Sequence, residues 1–322
     1  MAIKALALTV LRLGSPVYCV HQVVHNERVV CRFAELGVRF VEHLRDVPSG
    51  AAVVLSAHGS SPATVADANA RGAVVIDTVC PLVTKVHHEL AGRARAGYDI
   101  LYVGHEGHDE AVGALGVAPE RTTLVEHADS VGRLPDTSRP IAVLAQTTLA
   151  VEDRDVVVRA AQARFGPVWT PRRDDICFAT TNRQVALRSV AGEVDAVIVV
   201  GSESSSNTRA LVGVARRAGA GHVERVDGAH ELRTSRRFDA VAVTAGASAP
   251  EQAVAEVLSS LRPSVVESVS VLEEEAYFPL PASVRRLLAG DQVGEELLRC
   301  ERHISADELL RRVEQAMTAR AA

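Results

Sequence analysis

Two cysteines stand where a thiol gains chemistry. Cys80 lies in Asp77-Thr78-Val79-Cys80-Pro81, between an apolar strand-like run and a helix expected to begin near Pro81. Cys177 lies in Asp174-Asp175-Ile176-Cys177-Phe178, also just before a helix-forming stretch. A thiol at a helix N-terminus has a lowered pKa, which favours metal ligation as thiolate or nucleophilic attack. For either residue alone, a buried and inert cysteine is the plain alternative. Matching positions at two strand-to-helix junctions weigh against that alternative. Two thiolates do not complete a site, because a 4Fe–4S cluster takes three or four and structural zinc takes four ligands. Cys19 falls in mid-strand, about 20 Å from His25 along an extended chain. Cys31 falls in the following helix and Cys300 in the tail, and all three read as packing residues.

His25, His58 and His108 each follow an apolar run. One such histidine is usually a satisfied structural residue, but three at strand ends are harder to dismiss. With Ser205, Ser206, Asn207 and Ser248 they supply many neutral or cationic donors and almost no acids. Ser248 and Thr148 fall near helix N-termini, and a set of this kind suits a diphosphate. His105, beside them, reads equally well as structural. Glu110, in His108-Asp109-Glu110, is the carboxyl expected in this pocket. Beside phosphates its pKa is expected to rise, as a proton donor requires. A helix-start glutamate favoured by the helix dipole is the competing reading.

The elements that must position these residues form a repeating plan. Short Val/Ile/Ala-rich runs alternate with amphipathic stretches, the pattern of βαβ units and parallel sheets. The clearest strands are 51–57, 99–104, 141–146, 195–201 and 239–246, whose nearly continuous apolar character fits burial on both faces. Three runs end in polar loops, at 56–61, 104–108 and 201–207; three others end in cap-like segments, at 77–81, 146–148 and 246–250. The chain therefore reads as an α/β protein of three similar domains with mostly parallel sheets, over residues 1–79, 80–176 and 177–265. The polar loops are expected at the carboxyl ends of the strands, where open α/β sheets bind ligands. The two ends break the plan. The chain opens in a helix-like stretch, Ala2 to Leu13, with Gly14 as stop signal and no strand before it. Residues 266–322 read as a C-terminal extension, its last helix opened by Ser305 and Glu308 as a capping box, with no evident chemistry.

Composition bounds the rest. The 322 residues are 47% hydrophobic but only 3% aromatic, so Ala, Val and Leu must fill the core. No run is long and apolar enough to read as a membrane span. The apolar start MAIKALALTV lacks a small-residue cleavage site, so a cytoplasmic location is expected. A net charge of −5 with scattered arginines does not point to nucleic acid. Five widely spaced cysteines without an export signal argue against a disulfide framework.

Taken together, VHQVVHNERVV, SAHGSSP, DTVCPLVTKVH, VGHEGHDE, QTTL, RRDDICFATTNRQ, VGSESSSNTRAL and TAGASAPE resemble the 4-hydroxy-3-methylbut-2-enyl diphosphate reductase family, also called LytB-type proteins. The stretches run in order from about residue 14 to 251. QTTL alone is weak; the ordered set is highly specific. The resemblance implies a three-domain α/β fold around a 4Fe–4S cluster held by three cysteines, with one iron open to the substrate hydroxyl. It implies Cys80 and Cys177 as cluster ligands, and His25, His58, His108, Ser205, Ser206, Asn207 and Ser248 around the diphosphate. Glu110 becomes the proton relay, with Thr147 orienting the hydroxyl group or a water. It further implies a ferredoxin or flavodoxin as electron donor.

Two departures matter. The family begins with a strand ending in Pro-Arg-Gly-Phe-Cys, whose cysteine is the first cluster ligand; here the match begins inside the helix that follows. An internal Met taken as the start explains this, with the missing strand upstream. A degenerate paralogue that binds a diphosphate without turnover is the alternative, and Cys19 as substitute ligand a third. Secondly, the family usually has Val-Glu-Gly-Thr after His-x-Glu, where this chain has Ala111-Val112-Gly113-Ala114. A zinc hydrolase is the most distant reading.

Overall fold

A computed structural model describes residues 1–71, 74–233, 238–271 and 278–321. The first helix, α1 (Ala2–Leu13), ends at Gly14, whose φ of 72° suits a residue without a β-carbon. Four strands follow, β1 (Val17–Val20), β2 (Val38–Val41), β3 (Ala52–Leu55) and β4 (Val74–Asp77), pairing parallel in the order β2-β1-β3-β4. Helices α2 (Glu27–Glu35) and α3 (Pro62–Ala70) cross over from β1 to β2 and from β3 to β4, as parallel pairing requires, and α4 (Pro81–Arg95) leads on from β4. The chain then runs through β5 (Asp99–Val103), α5 (Asp109–Leu115), β6 (Thr122–Val125), α6 (Ala128–Val131), β7 (Ile141–Ala145) and α7 (Val151–Phe165), with sheet order β6-β5-β7. The third sheet, β10-β8-β9, is also parallel; it comprises β8 (Ala196–Val200), β9 (Val223–Val226) and β10 (Val241–Ala245). Its helices are α8 (Phe178–Val190), α9 (Ser206–Arg217) and α10 (Glu251–Leu261).

β7 and β8 are buried at every residue, as continuous apolar runs covered on both faces should be. β10 is only half-buried along its length, although its sequence is as apolar; it sits at the edge of its sheet, where one flank lacks a neighbouring strand.

The described chain divides into two compact units. The first comprises Met1–Gly97, Glu106–Thr123 and Ala276–Ala322; the second comprises Tyr98–His105 and Leu124–Glu275. The last helices, α11 (Ala282–Leu287), α12 (Gln292–Cys300) and α13 (Ala306–Ala321), belong to the first unit. They are part of its core, not an appendage: Leu288, Leu309, Leu310 and Val313 are buried in one cluster with Leu6, Leu8 and Phe33. Lys4 donates to the carbonyls of Glu301 and Ile304, and Arg32 makes a two-pronged pair with Glu314 at 2.5 and 2.8 Å. Ser305 caps α13 by accepting the Glu308 amide at 3.1 Å, whereas the Glu308 carboxylate turns to Arg311 and Arg312. Among the described residues, no helix is long and apolar enough to cross a membrane.

Candidate functional site

The residues selected from sequence fall in both units. The first holds His25, His58, His108, Glu110 and Cys80; the second holds Thr147, Cys177, Ser205, Ser206, Asn207 and Ser248.

In the first unit three loops bring the three histidines together. Asn26 caps α2 by accepting the Val29 amide at 3.1 Å, which fixes His25 just before that helix. His58 lies between β3 and the Ser61 cap of α3. At Gly59, φ is +83° and a β-carbon would meet the Val83 side chain at 2.9 Å, so the loop needs glycine there. His108 is the cap of α5: its Nδ1 accepts the Glu110 amide at 3.2 Å. A neutral His108 therefore carries its proton on Nε2, the tautomer that donates to an anion. The His25 and His58 rings stack at 4.0 Å, and His108 stands edge-on at 4.9 Å from His25 and 5.6 Å from His58.

Asp109 joins this cluster, and sequence reasoning passed it over. Its Oδ1 lies 2.6 Å from His21 Nδ1, while Oδ2 lies 3.8 Å from His25 Nε2 and 3.6 Å from His58 Nδ1. His21 adopts a left-handed φ of 58°, unusual for a residue with a β-carbon. Burial opposes its charge, but the hydrogen bond from His21 together with the charges of His21, His58 and His25 holds the Asp109 carboxyl below its ordinary value; the same bond raises His21. Burial, then the neighbouring His25 and His108, hold His58 well below its ordinary value. Glu110 is buried at 1% exposure. Of the departures noted in α5, Val112 is 54% exposed and Ala114 is buried. Gly113 packs so closely that a β-carbon would meet the Gly59 carbonyl oxygen at 3.0 Å.

In the second unit Gln146, fully buried, organises the loops. Its amide donates to Thr148 Oγ1 at 2.8 Å and Ser206 Oγ at 3.0 Å, and its oxygen accepts the His105 backbone amide at 3.0 Å. The Thr147 carbonyl accepts the Cys177 amide at 2.9 Å, which holds those two residues side by side. Cys177 Sγ lies 3.7 Å from Thr180 Oγ1, Thr180 accepts from Asn207 at 2.7 Å, and Asn207 in turn accepts the Ala247 amide at 3.1 Å. Ser205 caps α9 through the Thr208 amide, and Ser248 lies half-buried two residues before the Pro250 cap of α10. A run of contacts thus reaches from the Cys177 thiol through Thr180 and Asn207 to the loop after β10.

The two cysteines share a local geometry. Each is the cap residue of its helix, with φ/ψ of −62°/133° at Cys80 and −64°/138° at Cys177, and each is half-buried. The Cys80 amide donates to the Ala57 carbonyl at 3.0 Å, tying the thiol loop to the His58 loop. The Met1 ammonium lies within Coulombic reach of Cys80; burial, then repulsion from Lys4, holds it below its ordinary value. Cys19 has none of this exposure: it is fully buried in β1, and burial pushes its thiol up to about 12. That rules it out as a substitute ligand in this arrangement.

A family model described as LytB protein matches residues 1–262. The chain belongs to the LytB family. Among curated LytB relatives, a 4-hydroxy-3-methylbut-2-enyl diphosphate reductase of Rhodopirellula baltica is 43% identical over 295 residues, covering 90% of this chain and 92% of the relative. One of the same name from Leifsonia xyli is 46% identical, covering 90% and 88%. The solved structure of the E-1-hydroxy-2-methyl-but-2-enyl-4-diphosphate reductase from Plasmodium falciparum aligns with a TM-score of 0.85 at 31% identity, covering 89% of this chain and 94% of that one. The LytB match ends before α11, so the three helices that complete the core of the first unit lie beyond it.

Proposed function

We propose that this LytB protein is a 4-hydroxy-3-methylbut-2-enyl diphosphate reductase. The reaction removes the allylic hydroxyl of the substrate as water, consuming two electrons and two protons, and yields isopentenyl and dimethylallyl diphosphate. The reading is carried by one observation: helix-capping thiols at Cys80 and Cys177 accompany the three-histidine cluster on a chain 43–46% identical to curated reductases. In this reading His25, His58, His108, Ser205, Ser206, Asn207 and Ser248 hold the diphosphate. Imidazole, hydroxyl and amide donors fixed in advance neutralise its charge without reorganising. Glu110 relays a proton to the departing hydroxyl group, and Thr147 orients that group or a water. The hydrogen bond from the Glu110 amide to His108 supports this assignment, because it ties the proton donor to a diphosphate donor.

The donor set fits a 4Fe–4S cluster at two positions. Cys80 and Cys177 have half-buried thiols at helix starts, and thiolates are the ligands such a cluster takes. Cys31 is exposed on α2, and the Cys300 thiol donates to the Leu297 carbonyl. The Pro-Arg-Gly-Phe-Cys segment that carries the third ligand in the resemblance is not found in this sequence. When bound, the cluster supplies the electrons and a Lewis-acidic iron. A ferredoxin or flavodoxin is the proposed donor, and the cytoplasm the proposed location.

The test is anaerobic reconstitution of the complete gene product with iron and sulfide, followed by assay of the hydroxylated diphosphate under reducing conditions. Turnover is expected, with kcat lowered about 10²-fold or more in Glu110→Gln. Neither cluster nor reduction in the intact product would refute the proposal.

A further inference from the structure

The histidine cluster contains a carboxylate that a diphosphate cradle does not call for. Asp109 puts a negative charge among groups meant to receive an anion, and its two oxygens are differently employed. Oδ1 is held by His21 at 2.6 Å, while Oδ2 faces His25 Nε2 and His58 Nδ1 at 3.8 and 3.6 Å. The ligating atoms of His25, His58 and Asp109 all lie within 4.8 Å of one another. A tetrahedral zinc ion with bonds of about 2.0–2.1 Å spaces its ligand atoms about 3.3 Å apart. The two separations at the carboxylate need only a few tenths of an ångström of adjustment, whereas the His25 and His58 rings, stacked at 4.0 Å, must turn out of their stack for both to face one ion. Two imidazoles and one carboxylate, with a fourth position open, form a recurring zinc donor set; magnesium and calcium demand an oxygen shell that these residues lack. His21 supplies what such sites need behind the ligand, a hydrogen bond that orients the carboxylate.

We propose that His25, His58 and Asp109 form a binding site for a zinc-class divalent ion, and that the ion, once bound, excludes the substrate diphosphate. The exclusion rests on the diphosphate role given above for His25 and His58; the metal site rests on geometry alone. The protein then has a metal-sensitive inhibited state at the substrate position, separate from the cysteine-held cluster.

Two measurements on the cluster-loaded full-length protein test this. The first is zinc binding: crystals soaked in zinc and measured at the zinc edge are expected to show an anomalous peak among His25, His58 and Asp109. In solution, Asp109→Asn is expected to weaken zinc at least tenfold. No peak at the three side chains, or zinc found only at cysteines, overturns the site, and the wild-type crystal gives this result even if the variant misfolds. The second is turnover at a free zinc concentration fixed by a chelator buffer. Zinc is expected to raise KM for the hydroxylated diphosphate at least tenfold with kcat unchanged, and to lose that effect in Asp109→Asn. A fall in kcat with KM unchanged overturns the exclusion. Zinc bound at the three residues of a protein that reduces nothing upholds the metal site and counts against the reductase reading instead.

Discussion

Asp109 meets three imidazoles at once, and the balance of these contacts makes it sensitive to pH. Burial opposes its charge, yet hydrogen bonding to His21 holds the carboxyl below its ordinary 3.8, and the same bond raises His21 above its ordinary 6.5. A lowered acid contributes stability that is present above its ordinary value and lost as pH falls through the folded value. A raised histidine contributes stability that is present below its ordinary value and lost as pH rises through the folded value. The pair therefore stabilises fully between 3.8 and 6.5 and weakens on either side. In metal-free buffer, the stability difference between wild type and Asp109→Asn should be larger at pH 5.5 than at pH 8, read from urea midpoints. A difference independent of pH would contradict the pairing. The sequence made His25, His58 and His108 conspicuous because each follows an apolar run. It hid Asp109, because an acid at a helix start already has a sufficient explanation in the dipole. It hid Gln146 for a different reason: a glutamine after a strand signals nothing until the partners at His105, Thr148 and Ser206 are seen around it.

At the scale of elements, periodicity and caps were enough for most of the fold. The strands fall where the apolar runs lie, Gly14 ends α1, and Cys80 and Cys177 cap α4 and α8. The C-terminal helices were harder to place, because an amphipathic pattern states that a face is covered without saying by what. Leu309, Leu310 and Val313 are covered by the packing that also buries α1. This mutual burial predicts a strong contrast along α1. Leu8 is fully buried and Leu13 is 39% exposed. Leu8→Ala should cost about 2–5 kcal/mol, a large part of the roughly 5–15 kcal/mol that holds a domain folded. Leu13→Ala should stay within about 0.5 kcal/mol. Chemical denaturation of the two variants decides it, and equal costs would mean that α1 is not the core helix described.

For the whole molecule, chain order and compactness part ways at Glu106–Thr123, which belongs to the first unit, and again after α10. The polypeptide leaves the second unit and returns to the first, where α11–α13 complete the core begun by α1. Part of the connection is exposed: Val265, Val266, Val269 and Val271 are between 49% and 72% accessible and lie outside any helix or strand. Exposed connections of this kind are where proteases cut, and elastase prefers small aliphatic residues such as these. A cut there separates α11–α13 covalently from the rest while leaving the Lys4 bonds to Glu301 and Ile304, the Arg32–Glu314 pair and the shared apolar cluster untouched. Brief elastase treatment should therefore give two bands on a denaturing gel and one species in native gel filtration. Addition of urea should release the smaller fragment together with loss of the fold of the first unit, because its removal uncovers the buried face of α1. Separation of the fragments without denaturant would show the tail to be dispensable packing, and would remove the reason α1 is buried on so many sides.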